Sequence, residues 1–197
     1  MPVAPAPELS DSALVYAVRE GLPMASAHIW QRYSQLVRRI LRRALGPSVD
    51  VEDAVQDTFL SLFRDIGSLR NPAALRSYLI GITLHVAKSE LRRRQARRWL
   101  LLSMDGVLPE QEELADAQQL EEREALRRLY GVLDRMDTKR RLAFVLRYVE
   151  GMELHEISTA LGCSLSTTKR RVADAAKRVS RLAAKDPVLC AYLESHA

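Results

Sequence analysis

A short segment near the carboxyl end combines hydroxyl and cationic side chains in the order that a DNA-reading helix needs. Residues 154–172 contain two stretches of helical periodicity separated by Gly162 and Cys163, and Ser164 stands where the second stretch needs an N-cap. The apolar faces are Ile157, Ala160 and Leu161 in the first stretch, and Leu165, Thr168 and Val172 in the second. The second stretch also carries Ser166, Thr167, Lys169, Arg170 and Arg171. This pattern predicts a helix-turn-helix, whose second helix presents donors and cations to the major groove of DNA.

A second segment, residues 51–64, places acidic side chains opposite an apolar stripe. The stripe consists of Val51, Val55, Phe59, Leu62 and Phe63. The opposite face consists of Glu52, Asp53, Gln56, Asp57 and Leu60. Two interpretations stay open. Early carboxylates stabilise a helix N-terminus through its dipole, whereas acids beyond the first turn beside an outward leucine indicate a protein-binding patch.

A third segment, residues 70–98, is basic. Its predicted inward face carries Leu75, Tyr78, Leu79, Ile82 and Val86. Its polar side chains include Arg70 and Asn71 in the preceding loop, then Arg76, His85, Lys88, Arg92, Arg93 and Arg94. A solvated helix face is the simplest interpretation. The clustering of arginines beside a loop nevertheless favours phosphate neutralisation and capture of an exposed base.

The charge distribution supports two nucleic-acid contacts on one chain. The formal net charge is +5. Residues 76–98 hold seven basic residues and one acidic residue, and residues 166–185 hold the same numbers. Residues 103–124, which lie between them, hold eight acidic residues and one basic residue. Two cationic zones joined by an anionic connector are typical of tethered nucleic-acid-binding domains.

Several classes of protein are disfavoured by the same sequence. Only eight Gly and three Phe among 197 residues favour an all-α fold. Cys163 and Cys190 lack metal-ligand spacing, and they are interpreted as a small residue in a turn and an incidental thiol. The four histidines have no ligand or triad spacing, and no glycine-rich phosphate loop is present, so we expect neither an enzyme nor a cofactor or metal. The chain has no signal peptide and no apolar run of spanning length, which predicts a cytoplasmic protein without membrane insertion.

The periodicity divides the chain into two compact helical domains joined by an acidic linker. The predicted helices of the first domain span residues 11–20, 25–45, 51–64 (with Asp50 as cap) and 73–98, with a loop at 67–72. The second domain has a helix through Leu126 and Met136, a helix at 139–149, and then the helix-turn-helix, whose last helix runs to 184 and is ended by Asp186-Pro187. The predicted boundaries are 11–100, 101–119 for the flexible linker, and 120–185 for the domain with the helix-turn-helix.

These segments together resemble a known family. Residues 51–64, "VEDAVQDTFLSLFR", resemble the core-polymerase-binding segment of bacterial sigma factors, and residues 71–94 resemble the segment that melts and reads the minus-ten element. The stretch from Leu133 to Val172 is similar to the domain that reads the minus-thirty-five element. The resemblance covers residues 12–182 without the intervening domain of larger members. By this resemblance the chain is identified as a member of the extracytoplasmic-function (ECF, group IV) sigma factors of the sigma-70 family.

The resemblance implies a role for each segment. Region 2 of the family would be residues 11–100, and region 4 would be residues 120–185. Core RNA polymerase would be bound by Glu52, Asp53, Gln56, Asp57 and Leu60. The minus-ten element would be read by Arg70, Asn71, Ile82, His85, Lys88, Arg92, Arg93 and Arg94. The minus-thirty-five element would be read by Ser164, Ser166, Thr167, Lys169, Arg170 and Arg171. An anti-sigma factor is a further partner that the family implies.

The chain departs from the family pattern at some reading positions. His85 replaces the usual Asn, Tyr78 replaces the usual Trp, and Asp174 and Thr168 stand where basic or apolar residues are common, so no promoter sequence is carried over. Two alternatives from other classes stay open. One is a two-domain regulator that binds operators without acting as a sigma subunit. The other is a helical interaction protein, against which the basic zones argue.

Overall fold

The helical periodicity of the sequence becomes helical structure along most of the chain. The computed structural model describes residues 9–46, 49–102 and 117–195, and these residues contain helices and no strand, which confirms the predicted all-α class. The N-terminal half, residues 9–102, contains α1 (Asp11–Arg19), α2 (Ala25–Leu45), α3 (Glu52–Asp65) and α4 (Leu75–Leu102). The C-terminal half, residues 117–195, contains α5 (Ala117–Leu133), α6 (Thr138–Phe144), α7 (Leu154–Leu161), α8 (Leu165–Ala183) and α9 (Pro187–Ser195).

In the N-terminal half, α2, α3 and α4 pack against one another, and α1 closes the bundle. Their apolar stripes supply buried residues such as Ile40, Phe59 and Leu79 to one core. The segment between α3 and α4 is held by Arg19, whose guanidinium donates to the Ile66 carbonyl at 3.2 Å and also to the Leu69 carbonyl. This anchoring places the loop with Arg70 and Asn71 directly before α4.

The predicted boundaries in this half hold with local changes. Helix α3 begins at Glu52 rather than Val51, so Val51 takes the N-cap position and the predicted cap, Asp50, lies one residue earlier, where its carboxylate accepts the Glu52 N–H at 2.9 Å. The predicted loop at 67–72 is shorter in the structure, because 3-10 turns at Ile66–Ser68 and Pro72–Ala74 overlap its two ends. Helix α4 begins later than predicted, because Pro72 opens a 3-10 turn before the α-helical hydrogen bonds start. It also extends beyond the predicted end, to Leu102.

The C-terminal half differs from the predictions in two elements. The helix predicted at 139–149 changes after Phe144 into a π-helical turn, Val145–Val149. Helix α8 ends at Ala183, before Asp186-Pro187 as predicted, but a further helix that was not predicted, α9, begins at Pro187. Proline at the first position of α9 needs no N–H partner, and the Asp186 carboxylate accepts the Val188 N–H at 3.1 Å. Leu189 then packs with Ala125 and Ala183, so α9 closes α5 and α8.

The two halves lie against each other and share a core. Leu142, Leu146, Met152 and Ile157 of the C-terminal half are buried in the same apolar cluster as the residues of α2, α3 and α4. The centre of the predicted acidic linker, residues 103–116, lies outside the described residues. Among the helices described, none is long and apolar enough to cross a membrane.

Candidate nucleic-acid interface and acidic surface

Local capping explains why the helix-turn-helix forms at residues 154–183. Helix α7 begins with a reciprocal capping box between Glu153 and Glu156, in which the Glu156 carboxylate accepts the Glu153 N–H at 3.0 Å. It ends at Gly162, whose φ of +60° is left-handed and therefore favours glycine. Helix α8 begins at the predicted cap, where the Ser164 hydroxyl accepts the Thr167 N–H at 3.2 Å. The predicted helix-turn-helix is present.

Helix α8 is anchored on one side and exposed on the other. Thr168, Val172 and Ala175 face the core, and the Thr168 hydroxyl is fully buried and donates to the Ser164 carbonyl at 3.1 Å. This bond explains how a polar residue is accommodated at a position where an apolar one is common. Leu165 does not share the buried face as predicted, because it is the first residue of α8 and is 40% exposed.

The residues predicted to read DNA lie at or near the exposed side of α8. Ser166, Lys169 and Arg170 are exposed, and Thr167 and Arg171 are half-buried. Arg171 is held in place, since its guanidinium donates to the Cys163 sulfur at 3.2 Å, and that sulfur also contacts the Thr168 hydroxyl at 3.3 Å. Cys163 is a free thiol within the turn, and no group of three or more potential metal ligands occurs in the part of the chain that the structure describes.

A cationic groove, which the sequence analysis did not single out, extends the same face of α8. Successive residues of an α-helix are rotated by about 100°, so Lys177 and Arg181 lie nearly in line with Arg170, about two and three turns further along, and Arg178 lies beside that line. The turn before α6 adds Arg135 and the first turn of α6 adds Arg140, and these five cations line one concavity together with Asp137 and Asp174. The sequence contains a signal for this groove, because residues 170, 174, 177 and 181 are spaced by the helical period and all four are charged.

The acidic residues of this groove are paired. Asp137 accepts the Arg140 N–H at 3.1 Å as the N-cap of α6 and also forms an ion pair with the Arg140 guanidinium. Asp174 lies 3.7 Å from the same guanidinium. Burial acts to raise the pKa of Asp137, but the bonds from Arg140 outweigh it and lower that pKa below its ordinary value. Arg140 therefore offsets the negative charge that Asp174 would otherwise present to a phosphate.

One face of α4 gathers part of the predicted minus-ten set. Tyr78, His85 and Arg92 are seven residues apart, and Ile82 and Lys88 border the line that they form. His85 and Arg92 are exposed, whereas Tyr78, Ile82 and Lys88 are half-buried. A polar donor, an apolar wall and cations thus share one accessible surface.

The other predicted members of this set lie elsewhere. Arg94 lies on the opposite side of α4 from His85, whereas Arg93 lies beside Ile82 at the border of the face, and both arginines pair with Glu90, at 3.2 Å and 3.4 Å respectively. Arg70 and Asn71 are exposed in the loop before α4, where the Asn71 side chain accepts the Ala73 N–H at 3.1 Å. Asn71 has a structural task as the cap of the 3-10 turn.

The acidic surface of α3 is exposed as predicted. Asp53, Gln56 and Asp57 are accessible to solvent, and Leu60 beside them is 67% exposed. Beneath this surface, Phe59 packs against Trp30 with a ring separation of 4.5 Å. We call Asp53, Gln56, Asp57 and Leu60 the acidic patch.

Glu52 is set apart from the acidic patch by its partners. Its carboxylate binds the Arg38 guanidinium through two bonds, at 2.8 and 2.9 Å, and Arg42 lies 4.0 Å away. The hydrogen bond from Arg38 lowers the pKa of Glu52. Glu52 thus connects α3 to α2, and Asp53 and Asp57 carry the available negative charge of the patch.

Comparison with known proteins matches both halves of the chain. Residues 29–97 match the family described as Sigma-70 region 2, and residues 126–179 match the family described as Sigma-70, region 4. The chain is 31% identical over 175 residues to the ECF RNA polymerase sigma factor SigM of Mycobacterium tuberculosis, covering 89% of this chain and 85% of that one. It is 28% identical over 173 residues to the ECF RNA polymerase sigma-E factor of Salmonella typhimurium, covering 84% and 90% of the two chains.

Solved structures have the same fold. A structure of CnrH in complex with the cytosolic domain of CnrY is similar with a TM-score of 0.64 at 25% identity, covering 89% of this chain and 98% of that one. The sigma factor RpoE in complex with the anti-sigma factor NepR from Bartonella quintana is similar with a TM-score of 0.56 at 24% identity, covering 80% and 98%. The helix-turn-helix, the acidic patch and these matches lead to one conclusion: the chain belongs to the ECF sigma factors of RNA polymerase.

Proposed function

We propose that this protein binds core RNA polymerase and directs it to promoters, with the acidic patch as the polymerase contact and α4 and α8 as the DNA contacts. The observation that carries the proposal is the order of the parts: an exposed acidic patch within the region 2 match and a capped helix-turn-helix within the region 4 match. An operator-binding regulator that never joins polymerase would have no use for the acidic patch. The protein contributes recognition, and the polymerase contributes the chemistry.

The test of the function is run-off transcription with core polymerase on a library of promoter fragments, with and without the protein. We expect discrete transcripts that depend on the protein. Absence of any protein-dependent transcript, together with failure to co-elute with sigma-free core polymerase, would refute the assignment.

The polymerase contact rests on charge and exposure. The protein has a net charge of +5, yet among the described residues the carboxylates of Asp53 and Asp57 form no ion pair and lie beside the exposed Leu60, which fits a basic surface with an apolar centre. We expect Asp53→Lys with Asp57→Lys to weaken core binding, because the two substitutions reverse the available charge. Glu20→Lys with Glu122→Lys makes the same change of charge at exposed sites away from α3, and this control retains binding. Equal affinity of both double variants would exclude the acidic patch.

The minus-ten contact rests on the α4 face. Tyr78, Ile82 and His85 would receive a base removed from the duplex, whose unstacking costs a few kcal/mol that the contacts must offset, and Arg92 would hold the backbone nearby. Arg93 and Arg94, which are paired with Glu90, would play a lesser part. We expect His85→Ala to slow promoter opening by the polymerase complex. The same variant complex should bind a pre-melted promoter with most of the wild-type affinity, because the contacts to the other promoter positions remain.

The minus-thirty-five contact rests on the first turns of α8. Ser166, Thr167 and Arg170 are accessible at its amino-terminal end, and Arg171 is oriented by Cys163. Base edges in the major groove are read by such side chains at the start of a recognition helix. The cationic groove would continue this contact along the phosphate backbone.

The proposal also includes the location of the protein in the cell and one further partner. A sigma factor acts on chromosomal DNA, so we place the protein in the cytoplasm. One structural relative is a sigma factor held by an anti-sigma factor, and we propose that this chain is also controlled by such a partner. Co-purification from native cells tests that proposal, and repeated recovery of the protein with polymerase alone would count against it.

A further inference from the structure

The loop before α4 is joined to α1 by one side chain. We call residues 69–71 the capture loop, because Arg70 and Asn71 belong to the set proposed to meet the minus-ten element. Most bonds of the loop are local: the Leu69 N–H donates to a carbonyl three residues earlier at 3.3 Å, and the Asn71 side chain caps the next 3-10 turn. Among the described residues, the hydrogen bond that ties the capture loop to a distant part of the chain comes from Arg19.

Arg19 lies in the last turn of α1 and reaches two carbonyls with one guanidinium. Its Nη2 donates to the Ile66 carbonyl at 3.2 Å and to the Leu69 carbonyl, and its Nε lies 3.4 Å from the Ile66 oxygen. The Tyr16 ring, three residues earlier in α1, has its centroid 5.9 Å from the guanidinium carbon, within the range of a cation–π contact. A planar fork of donors thus bridges both carbonyls, which the single ammonium of a lysine cannot reproduce.

The bond to Leu69 fixes the backbone at the residue that follows. The Leu69 carbonyl and the Arg70 N–H belong to one planar peptide group. Holding the carbonyl therefore sets the direction in which the chain enters Arg70. The next fixed point is Asn71, because its side chain caps the turn that leads into α4. Arg70 and Asn71, which are both exposed, thus lie in a segment whose backbone is held at both ends.

The packing of α1 does not depend on Arg19. The helix is held in the core by Leu14 and Val15, which are buried, whereas Arg19 is exposed. The helix is also tied to α2 by an ion pair of Asp11 with Arg32 at 3.1 Å. Removing the Arg19 side chain should therefore release the loop and leave α1 in place.

We propose that Arg19 is a positioning residue for promoter opening, which orders the capture loop before DNA arrives. The proposal rests on the proposed sigma function. It extends the minus-ten site to α1, which lies outside the region 2 match at residues 29–97. A loop that is ordered in advance loses less conformational entropy when it receives a base. We expect the loss of Arg19 to cost about five- to tenfold, which is the lower end of the cost of fixing the backbone of one residue.

The first measurement uses the free protein. We expect the backbone order parameters of Arg70 and Asn71, from NMR relaxation, to be near the rigid value of about 0.85 in the wild type and to fall below about 0.6 in Arg19→Ala. The matched control is Arg32→Ala, which also removes an arginine bound to the fold through α1 but makes no bond to the loop. We expect the control to keep the wild-type order parameters.

The second measurement uses the polymerase complex formed with each variant. A pre-melted promoter with one base removed at a time identifies the captured base as the position where the wild type loses most affinity. The ratio of affinities for the intact and abasic promoters then measures base capture, because it does not depend on the fraction of active protein. We expect Arg19→Ala to lower this ratio and the opening rate of a duplex promoter by about five- to tenfold. Arg19→Lys keeps the charge and recovers part of both, and Arg32→Ala keeps both at wild-type values.

The outcomes separate the two proposals. Rigid order parameters for Arg70 and Asn71 in Arg19→Ala overturn the positioning role without reference to DNA. A wild-type affinity ratio in Arg19→Ala, or an equal loss in Arg32→Ala, overturns it in the polymerase complex. Absence of any transcript that depends on the wild-type protein contradicts the sigma function instead. If Arg19→Ala fails to fold, Arg19→Lys replaces it, and a wild-type ratio in that variant overturns the positioning role.

Discussion

Removing two cations from the groove beside the recognition helix should change how promoter binding depends on salt. Lys177 and Arg181 lie on the same face of α8 as Arg170, and both are exposed within the cationic groove. Neither side chain reaches the bases read by the first turns of α8, because Lys177 lies about 10 Å and Arg181 about 16 Å beyond Arg170 at 1.5 Å per residue. Their expected role is phosphate neutralisation, which carries no sequence information.

The magnitude follows from counterion release. Each phosphate contact contributes about 0.9 to the slope of log affinity against log salt concentration, so losing two contacts lowers the slope by about 1.8. Raising the salt from about 50 to about 200 mM then reduces the affinity of the wild type by about twelvefold more than that of Lys177→Ala with Arg181→Ala. The variant is weaker at low salt, and its deficit shrinks as salt rises.

The assay is equilibrium binding of the polymerase complex to a promoter fragment over that range of salt. The control is Arg123→Ala with Lys185→Ala, which also removes one lysine and one arginine from exposed positions of the C-terminal half but lies outside the groove. We expect the control to keep the wild-type slope. Parallel slopes for the groove variant and the control would show that the groove does not touch phosphate, and a loss confined to particular promoter sequences would show base reading instead.

Three further predictions concern the C-terminal half. Ser164→Ala should lower the free energy of unfolding by about 1 kcal/mol, because α8 loses its N-cap, and an unchanged denaturation midpoint would contradict this. Arg171→Ala should cost about 1–3 kcal/mol of discrimination between promoter sequences if its guanidinium reads a base. Cys163→Ala should reproduce part of that loss, because it releases the Arg171 side chain. Wild-type discrimination in both variants would show that Arg171 is not part of the DNA interface. Hydrogen bonds from Arg127 and Arg128 lower the pKa of Glu124 from 4.5 to about 2. Its stabilising contribution should therefore be complete above pH 4.5 and be lost as the pH falls toward 2, and acid denaturation of Glu124→Gln compared with the wild type measures that difference.

The elements that were predicted well are those that local signals define. Asp50, Ser164 and Gly162 act at the positions where their side-chain oxygens or left-handed backbone favour a helix end. The elements that were predicted poorly depend on surroundings. The π-helical turn after Phe144 packs against α2 and α7, and α9 gains its stability from packing on α5 and α8 rather than from its own sequence.

The candidate functional surfaces also include features that follow from local sequence and features that depend on tertiary packing. Periodicity alone distinguished the exposed acids of α3 from its buried stripe, because a helix repeats every 3.6 residues whatever it packs against. It did not reveal that Glu52 is bound to Arg38, since an ion pair between two helices depends on the side chains that the fold brings near. The pair of Glu90 with Arg94, by contrast, follows from their i, i+4 spacing on one helix.

The sequence by itself determined the helices, their caps, the helix-turn-helix and the resemblance to sigma factors, because these depend on residues close together along the chain. Only the tertiary structure decided that Asp174 is neutralised by Arg140, and that Arg141 of one half caps a helix of the other. The physical reason is distance along the chain. Ala44 and Arg141 are separated by 97 residues, and no local pattern specifies a contact whose formation depends on the packing of two helical bundles.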